Sequence, residues 1–199
     1  MPSAKELRQE LLISQYISSL EKLDEMSVRP HIYPIAGSFA VGEPNENGLV
    51  AWRPRRTITE PGQLDKLYAR LPAKFPPLFE YLLLNFRWAE VDLRTYTLMA
   101  NPSGPDLEGF FREISRDPGL WEALIPAGFM RFAKGPSMDY DPVCFDMNSR
   151  KKNREMRVVK IDHEEILCNR RIKVVDELAS SFEHLVLETI EKASNSRFP

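Results

Sequence analysis

The chain has 199 residues, 43% of them hydrophobic and 28% charged, which is enough apolar material for one sizeable core. Its net charge of −2 produces no overall field that would favour nucleic acid or an anionic membrane. No window approaches the run of about 18 apolar residues that suggests a membrane span, and the first residues lack the apolar stretch of an export signal. We therefore expect a single domain over residues 1–199, located in the cytoplasm, with no membrane contact.

The first 60 residues predict one helix followed by irregular structure. Ser3 and Glu6 have the spacing of a capping box, so an amphipathic helix is expected over residues 1–26. Its apolar stripe consists of Leu7, Leu11, Tyr16, Ile17, Leu20 and Leu23. This helix is either an added layer of the fold or a docking helix. Prolines and glycines interrupt residues 27–60, where only short strands are expected, near residues 32–35, 38–41 and 49–52.

The middle of the chain alternates between helical and extended patterns. Helices are expected over residues 61–71, from Pro76-Pro77 to Phe86, around residues 107–114, and from Pro118 onward with Asp117 as the N-cap. The second of these helices is apolar on most faces, so we expect it to be central. Strands are expected over residues 91–97 and 129–133. Helices mixed with strands in this way predict the α+β class.

The last third of the chain predicts a short meander closed by a helix. Residues 143–147 alternate in hydrophobicity, as in a strand with one buried face. Residues 157–161 and 172–175 predict the next two strands, and the charged loop between the first two indicates a hairpin with an exposed tip. A helical stripe follows over residues 177–190. We expect this helix to cover the apolar face of the sheet, so that Phe145, Ile161 and Phe182 share one core.

Four segments of the chain resemble the SUKH superfamily. They are the C-x-D strand Cys144–Asp146, the segment Val159–Glu164 that runs into I-D-H-E, the motif Glu177–Glu183, and Leu71-Pro72 ahead of Phe79–Phe86. That superfamily contains the Smi/Knr-like cell-wall regulators and many immunity proteins of bacterial polymorphic toxin systems. The resemblance implies an antiparallel-rich, mixed sheet flanked by helices over residues 61–193, with helix 1–26 as an addition. It also implies a non-catalytic role, in which the protein binds a cognate toxin domain, often a nuclease or deaminase, and blocks its active site.

Acidic residues supply the first candidate for a partner-binding surface. Nuclease toxins tend to be basic around the substrate groove, so complementary negative charge is expected on this chain. The candidates are Asp139, Asp141, Asp162, Glu164 and Glu165. The competing interpretation is that these are solvated acids in loops and at a strand end, with no binding role.

A basic segment supplies the alternative, which is a nucleic-acid-associated protein. Residues 150–173 contain nine Lys or Arg against four Asp or Glu. The hairpin candidates are Arg150, Lys151, Lys152, Arg154 and Arg157, and the group is completed by Lys160, Arg170, Arg171 and Lys173. If they cluster on one edge, these cations can contact phosphates. The segment lacks the interleaved aromatic residues on which single-stranded bases stack, which favours a solvated tip or a protein contact over nucleic acid.

Metal sites are not expected. Asp162–Glu165 is the best candidate cluster, but consecutive residues at a strand end point to opposite faces and cannot converge on one ion. His31 and His184 have no ligand-like spacing to it. The D-x-D spacing of Asp139–Asp141 lacks the later Gly and Glu of a calcium-binding loop.

Covalent catalysis is not expected either. Cys144 or Cys168 paired with His163 would need an exposed, electropositive setting, and two reduced structural thiols are the simpler interpretation. We predict that the protein is not an enzyme and binds no cofactor. A small hydrolase is the remaining alternative, and it requires a deep pocket that joins Cys144 or His163 to other polar groups.

Overall fold

The structure, a computed structural model, describes residues 3–23, 27–28, 40–102, 104 and 106–195. The helices are α1 (Ala4–Leu23), α2 (Gly62–Tyr68), α3 (Pro77–Asn85), α4 (Glu108–Ile114), α5 (Pro118–Leu124), α6 (His163–Asn169) and α7 (Phe182–Asn195). The strands are β1 (Ser27–Val28), β2 (Ala40–Val41), β3 (Val50–Trp52), β4 (Arg55–Arg56), β5 (Phe86–Arg87), β6 (Val91–Asp92), β7 (Thr97–Leu98), β8 (Phe129–Lys134), β9 (Pro142–Asp146), β10 (Arg157–Ile161) and β11 (Val174–Ala179). The protein is therefore α+β, as the sequence predicts. No helix in the described ranges is long and apolar enough to cross a membrane.

The central element is a six-stranded antiparallel meander, in which each strand from β6 to β11 pairs with the next one along the chain. The predicted hairpin is confirmed, since β9 pairs with β10 and Cys144 lies opposite Val159. The predicted third strand is also confirmed, although it is β11 and begins at Val174 rather than at Ile172. Two smaller antiparallel sheets lie outside the meander, one formed by β1, β3 and β2 and the other by β4 and β5.

Both faces of the meander are covered by helices, which differs from the predicted single buried face. On one face, Phe145 packs against Phe182 of α7 with ring centroids 5.8 Å apart. On the other face, Ile161 belongs to a second cluster with Cys144 and with Ile166 of α6. The expectation that Phe145, Ile161 and Phe182 share one core is therefore wrong for Ile161. The reason is that β9 and β10 carry apolar residues at consecutive positions, which point to opposite faces and require a cover on each.

Helix α3 holds the centre of the larger core, as predicted. The Phe79 ring is fully buried, and its centroid lies 5.2 Å from that of Phe145 and 5.1 Å from that of Phe182. Helices α1, α4 and α7 surround it and contribute to the same cluster. Helices α5 and α6 cover the opposite face of the sheet through Leu120, Leu124 and Ile166. The meander is thus the middle layer between two helical layers.

Helix α1 is an added layer of the larger core. The Tyr16 hydroxyl forms a buried hydrogen bond of 2.7 Å with the Tyr96 hydroxyl, which joins the helix to the meander. The predicted apolar stripe is partly wrong, since Leu7 and Leu11 are 52% and 62% exposed. Tyr16 and Leu20 of the predicted stripe are buried, together with Leu12 and Ile13, which the prediction did not include. The helix ends at Leu23, while the predicted end at residue 26 and the predicted strand at 32–35 lie outside the described residues.

Local capping signals predicted helix starts well. The Ser3 amide donates to Glu6 Oε2 at 2.7 Å and the Glu6 amide donates to Ser3 Oγ at 3.3 Å, so the capping box is confirmed. The Asp117 side chain accepts from the Leu120 amide at 3.1 Å, with Pro118 in the first turn. Helix α3 likewise begins at Pro77, where a missing amide hydrogen has no cost.

Two predicted elements are wrong in extent. The single strand at residues 91–97 is a tight hairpin, because β6 and β7 pair with each other through Val91 and Leu98. The helix predicted from residue 177 begins at Phe182, because residues 174–179 extend along β10 as an edge strand. Ser181 Oγ then accepts a hydrogen bond from the His184 amide at 3.1 Å, which fixes the start of α7.

Phe79→Ala is expected to reduce the free energy of unfolding by about 3–5 kcal/mol, because it opens a cavity among tightly packed aromatic rings. Urea denaturation followed by circular dichroism measures this change. Leu187→Ala on α7 is the control, since Leu187 is 47% exposed and its truncation should cost less than about 0.5 kcal/mol. Equal losses in the two variants would contradict the central position of Phe79.

Glu155, in the loop between β9 and β10, predicts a pH-dependent effect on stability. Its Oε2 is buried with no hydrogen-bond partner in the described residues, and burial together with the charge of Glu183 raises the pKa of this carboxyl. A carboxyl whose pKa is higher in the folded protein than in the unfolded chain stabilises the folded state at low pH. This contribution to the free energy of unfolding is lost as the pH rises through the pKa of the folded protein. Glu155→Gln should therefore raise Tm at pH 7 and leave it unchanged below about pH 3.5, where the unfolded chain is protonated too. Exposed Glu46→Gln is the control, and a gain at every pH would refute the titration.

Candidate functional site

The structure brings two distant acidic stretches of the sequence together at one end of β10. Asp141, which precedes β9, accepts hydrogen bonds from the His163 amide at 2.9 Å and from His163 Nδ1 at 2.7 Å. His163 is the first residue of α6, and Asp162 caps this helix by accepting from the Glu165 amide at 3.0 Å. We call Asp139, Asp141, Asp162, Glu164 and Glu165 the acidic surface. The predicted strand end at 162–165 is therefore wrong, because a capped helical turn occupies that position.

Most carboxylates of the acidic surface are held by cations. Lys160 Nζ lies 3.1 Å from Asp139 Oδ2, Lys173 Nζ lies 3.1 Å from Asp162 Oδ2, and Arg171 Nη2 lies 3.0 Å from Glu165 Oε2. Bonds from the Glu165 amide and Lys173 lower the pKa of Asp162. Burial alone would raise the pKa of Asp139, but bonds from the Asp141 amide and Lys160 lower it on balance. Glu164 differs, since it is exposed and its side chain forms no hydrogen bond or ion pair with another described residue.

The loop at residues 135–141 presents apolar side chains beside the acidic surface. The Gly135 amide donates to the Asp141 carbonyl at 2.8 Å, which closes the loop. A Cβ at Gly135 would lie 2.1 Å from the Asp139 carboxyl carbon, so a larger residue at this position would displace the Asp139 side chain. Met138 and Tyr140 project from the loop with 78% and 52% of their surfaces exposed. The acidic surface therefore has an apolar rim on a fixed backbone.

The predicted basic group is divided between the two ends of β10. Residues 150–152 are exposed at the hairpin tip, whereas residues 170–173 follow the other end, and the five-residue strand between them spans about 13 Å. The nine cations therefore do not cluster on one edge, which was the condition for the nucleic-acid alternative. Arg154 is held by both Glu80 oxygens at 2.6 and 2.7 Å, and Arg157 by Asp146 at 2.6 Å. Arg150, Lys151 and Lys152 remain exposed, so the nucleic-acid alternative stays a prediction based on three cations.

A cleft of about 340 Å³ adjoins the acidic surface, and it was not predicted. It lies between α5, α6 and β8, and it is lined by Glu90, Met99, Arg116, Asp117, Leu120, Arg131, Lys134, Tyr140, His163 and Leu167. Arg131 is the unexpected member, because only 9% of it is exposed and it lies in a buried strand. A sequence signal existed, since a single arginine between Met130 and Phe132 interrupts an otherwise apolar run.

The described residues offer little support for the predicted chemical alternatives. No group of three or more His, Cys, Asp or Glu is arranged to hold a metal among them. Cys144 is fully buried, and burial raises the pKa of its thiol well above the usual value, which disfavours the thiolate. Cys168 is exposed on α6 rather than adjacent to a strand. The described lining of the cleft joins His163 to several polar groups, as the hydrolase alternative requires, but contains no Ser, Thr or Cys nucleophile.

Neither a model of a known protein family nor a curated protein matches this chain. The SUKH resemblance therefore stays a prediction that rests on the four sequence segments. In the structure these segments form the approach to α3 and α3 itself, strand β9, the junction of β10 with α6, and the junction of β11 with α7.

Asp141→Ala is expected to loosen the acidic surface without unfolding the protein, because it removes the acceptor of both hydrogen bonds from His163. Amide exchange in residues 135–141 and in the first turn of α6 should accelerate by about 10- to 150-fold, the range for losing hydrogen bonds to a charged group. Hydrogen–deuterium exchange followed by mass spectrometry measures this rate. Asp176→Ala, at an exposed position of β11, is the matched control and should leave both segments unchanged. Unaltered exchange in Asp141→Ala would show that the contact does not hold the surface together.

Proposed function

We propose that the protein is a non-catalytic binding domain of the SUKH type that neutralises a cognate toxin in the cytoplasm. The α+β fold with an antiparallel meander agrees with the architecture that the resemblance implies. The two cysteines are unpaired, which suits a reducing compartment. The placement of Ile161 outside the larger core counts against the shared core that the sequence pattern predicts for this meander, so the proposal depends chiefly on the surface.

One observation carries the proposal. Residues 139–141 and 162–165 are more than twenty positions apart in sequence, yet the Asp141–His163 bonds unite them in one surface. The acidic surface has five carboxylates, and three of them form ion pairs with a Lys or Arg, so these residues together carry a net negative charge. Met138 and Tyr140 add exposed apolar area beside them. Negative charge around exposed aromatic and methionine side chains is a composition that protein interfaces use, and it complements a basic substrate groove.

A rigid surface of this kind suits inhibition by occlusion. Its carboxylates are already oriented by Lys160, Lys173 and the helix cap, so binding needs little further ordering of side chains. Glu164 is the carboxylate best placed to meet a cation of a partner, because it has no bond within the described residues to break. We therefore assign Glu164 and Tyr140 the largest contributions to binding.

The test is a search of the neighbouring genes for a toxin domain, followed by protection of bacterial cells against that domain. Co-expression of the wild-type chain should restore growth, and the purified pair should form a complex. Glu164→Lys and Tyr140→Ala should each weaken the complex about tenfold or more, because one reverses an interface charge and the other removes an aromatic anchor. Isothermal titration calorimetry measures the affinities.

The controls change the same residue types on another layer of the molecule. Glu191→Lys and Leu187→Ala alter exposed positions of α7 and should bind and protect like the wild type. Neighbouring genes without a toxin domain, or a failure of the wild-type chain to protect, would overturn the proposal. Full protection by Glu164→Lys together with Tyr140→Ala would move the interface elsewhere. Binding to duplex DNA or RNA that weakens steeply with salt would favour the basic hairpin tip instead.

A further inference from the structure

Arg131 is a buried cation that has no hydrogen-bond or ion-pair partner in the part of the chain that the structure describes. It lies on β8 on the side that faces α5 and α6, with 9% of its surface exposed. No hydrogen bond or ion pair joins its guanidinium to any described residue, and its Nε is completely buried without an acceptor. A register irregularity in β8 lies immediately after it, between Arg131 and Ala133. Such bulges commonly re-aim a side chain beside a functional site.

A second buried arginine shows how the same fold satisfies this group elsewhere. Arg87 is 3% exposed, and its guanidinium donates to the Leu83 carbonyl at 2.8 Å, the Phe86 carbonyl at 3.1 Å and Thr59 Oγ1 at 2.6 Å. Arg87 Nε, like Arg131 Nε, is buried without an acceptor, but the terminal nitrogens of Arg131 also have no acceptor among the described residues. Burial lowers the pKa of both guanidinium groups, so the contrast between the two arginines lies in their hydrogen-bond acceptors. An uncompensated buried charge destabilises a fold, so its presence requires an explanation beyond packing.

The other charges of the cleft are already engaged. Lys134 Nζ lies 2.8 Å from Glu90 Oε1, and Arg116 Nη2 lies 2.9 Å from Glu113 Oε1. Asp117 caps α5. Arg131 is therefore the one lining cation, among the described residues, that lacks a carboxylate partner. Arg131 carries one unpaired positive charge, which a ligand with one negative charge would balance. The nearby carboxylates of Glu90 and Asp117 disfavour a dianion such as phosphate.

The remaining walls of the cleft favour a ligand whose uncharged part is apolar. Met99, Leu120 and Leu167 line it, and Tyr140 stands at the opening with its ring 6.2 Å from that of His163. The volume of about 340 Å³ lies at the lower end of the range for small-molecule sites. A planar guanidinium pairs best with a carboxylate, which accepts two parallel hydrogen bonds from it.

We propose that this cleft binds a monocarboxylate carried on a short apolar body, with Arg131 as the bidentate anchor. The cleft meets the acidic surface at Tyr140 and His163, but the proposal stands without a toxin partner. Two sources can supply such a carboxylate, namely a free organic acid or an acidic side chain of a bound protein. The chemistry at Arg131 is the same for both.

The test uses the full chain with three probes. Benzoate is the free acid, benzamide is its neutral analogue, and glutamate blocked at its amino and α-carboxyl groups represents a protein side chain. At about ten times Kd, a binding carboxylate should raise Tm by roughly 3–5 °C, and benzamide should not. The Arg131 Nε–H resonance, followed by NMR, should shift with the same concentration dependence.

A response to blocked glutamate alone indicates a protein side chain, and a response to benzoate alone indicates a free acid. Inorganic phosphate should have no effect beyond that of chloride.

Two variants separate a binding role from a structural one. Arg131→Met should raise the Tm of the ligand-free protein by roughly 2–8 °C, because it replaces an unpaired buried charge with an apolar chain, and it should abolish the carboxylate response. Arg87→Met is the matched control and should lower Tm, because its acceptors lose their donor. A lower Tm in both variants, equal carboxylate responses in wild type and Arg131→Met, or no response of the wild type to either acid would overturn the proposal. If Arg131→Met fails to fold, the NMR titration of the wild type decides.

Discussion

The packing of α3 and α7 against the sheet is the interaction on which the other features depend. Phe132 and Phe145 stack with centroids 4.1 Å apart on neighbouring strands, and Phe79 and Phe182 pack edge-on against Phe145. Aromatic side chains bury more area than any other residue type and prefer these offset and perpendicular geometries. The cluster therefore fixes which face of β8 and β9 points to the larger core. It also fixes, through strand alternation, which residues point away from it.

The residues that point away include Arg131 and Cys144, which lie opposite each other on β8 and β9. Helices α5 and α6 cover this second face, but they are short and bury a small cluster rather than a full layer. A cleft remains between them where the sheet carries a charge instead of an apolar side chain. The acidic surface and the cleft are thus both consequences of one arrangement, in which a small helical layer incompletely covers a sheet that is apolar on both sides.

Local signals predicted local features, and the features that needed tertiary information were missed. The Ser3–Glu6 capping box, the Asp117 cap and the β9–β10 hairpin depend on neighbouring residues, and each is present. The start of α7 was misplaced because residues 177–181 fit a helical stripe, while pairing with β10 holds residues 174–179 extended. The acidic candidates were chosen by charge alone. Sequence could not show that the Asp141–His163 contact would unite them, or that the nine cations would separate to two ends of a strand.

The two candidate regions differ in a way that bears on function. In the acidic surface most charges are already satisfied by Lys160, Lys173, Arg171 and a helix cap, so the binding that we propose depends on shape and on the exposed Glu164 and Tyr140. In the cleft, one charge is left unsatisfied at a cost to the folded protein. Selection tolerates such a cost where an incoming group removes it, and Arg131 differs from Arg87 in that the terminal nitrogens of Arg87 donate to acceptors within the fold. The unpaired arginine is therefore the sharpest physical indication of a ligand that this fold contains in its described part, and it is independent of any resemblance.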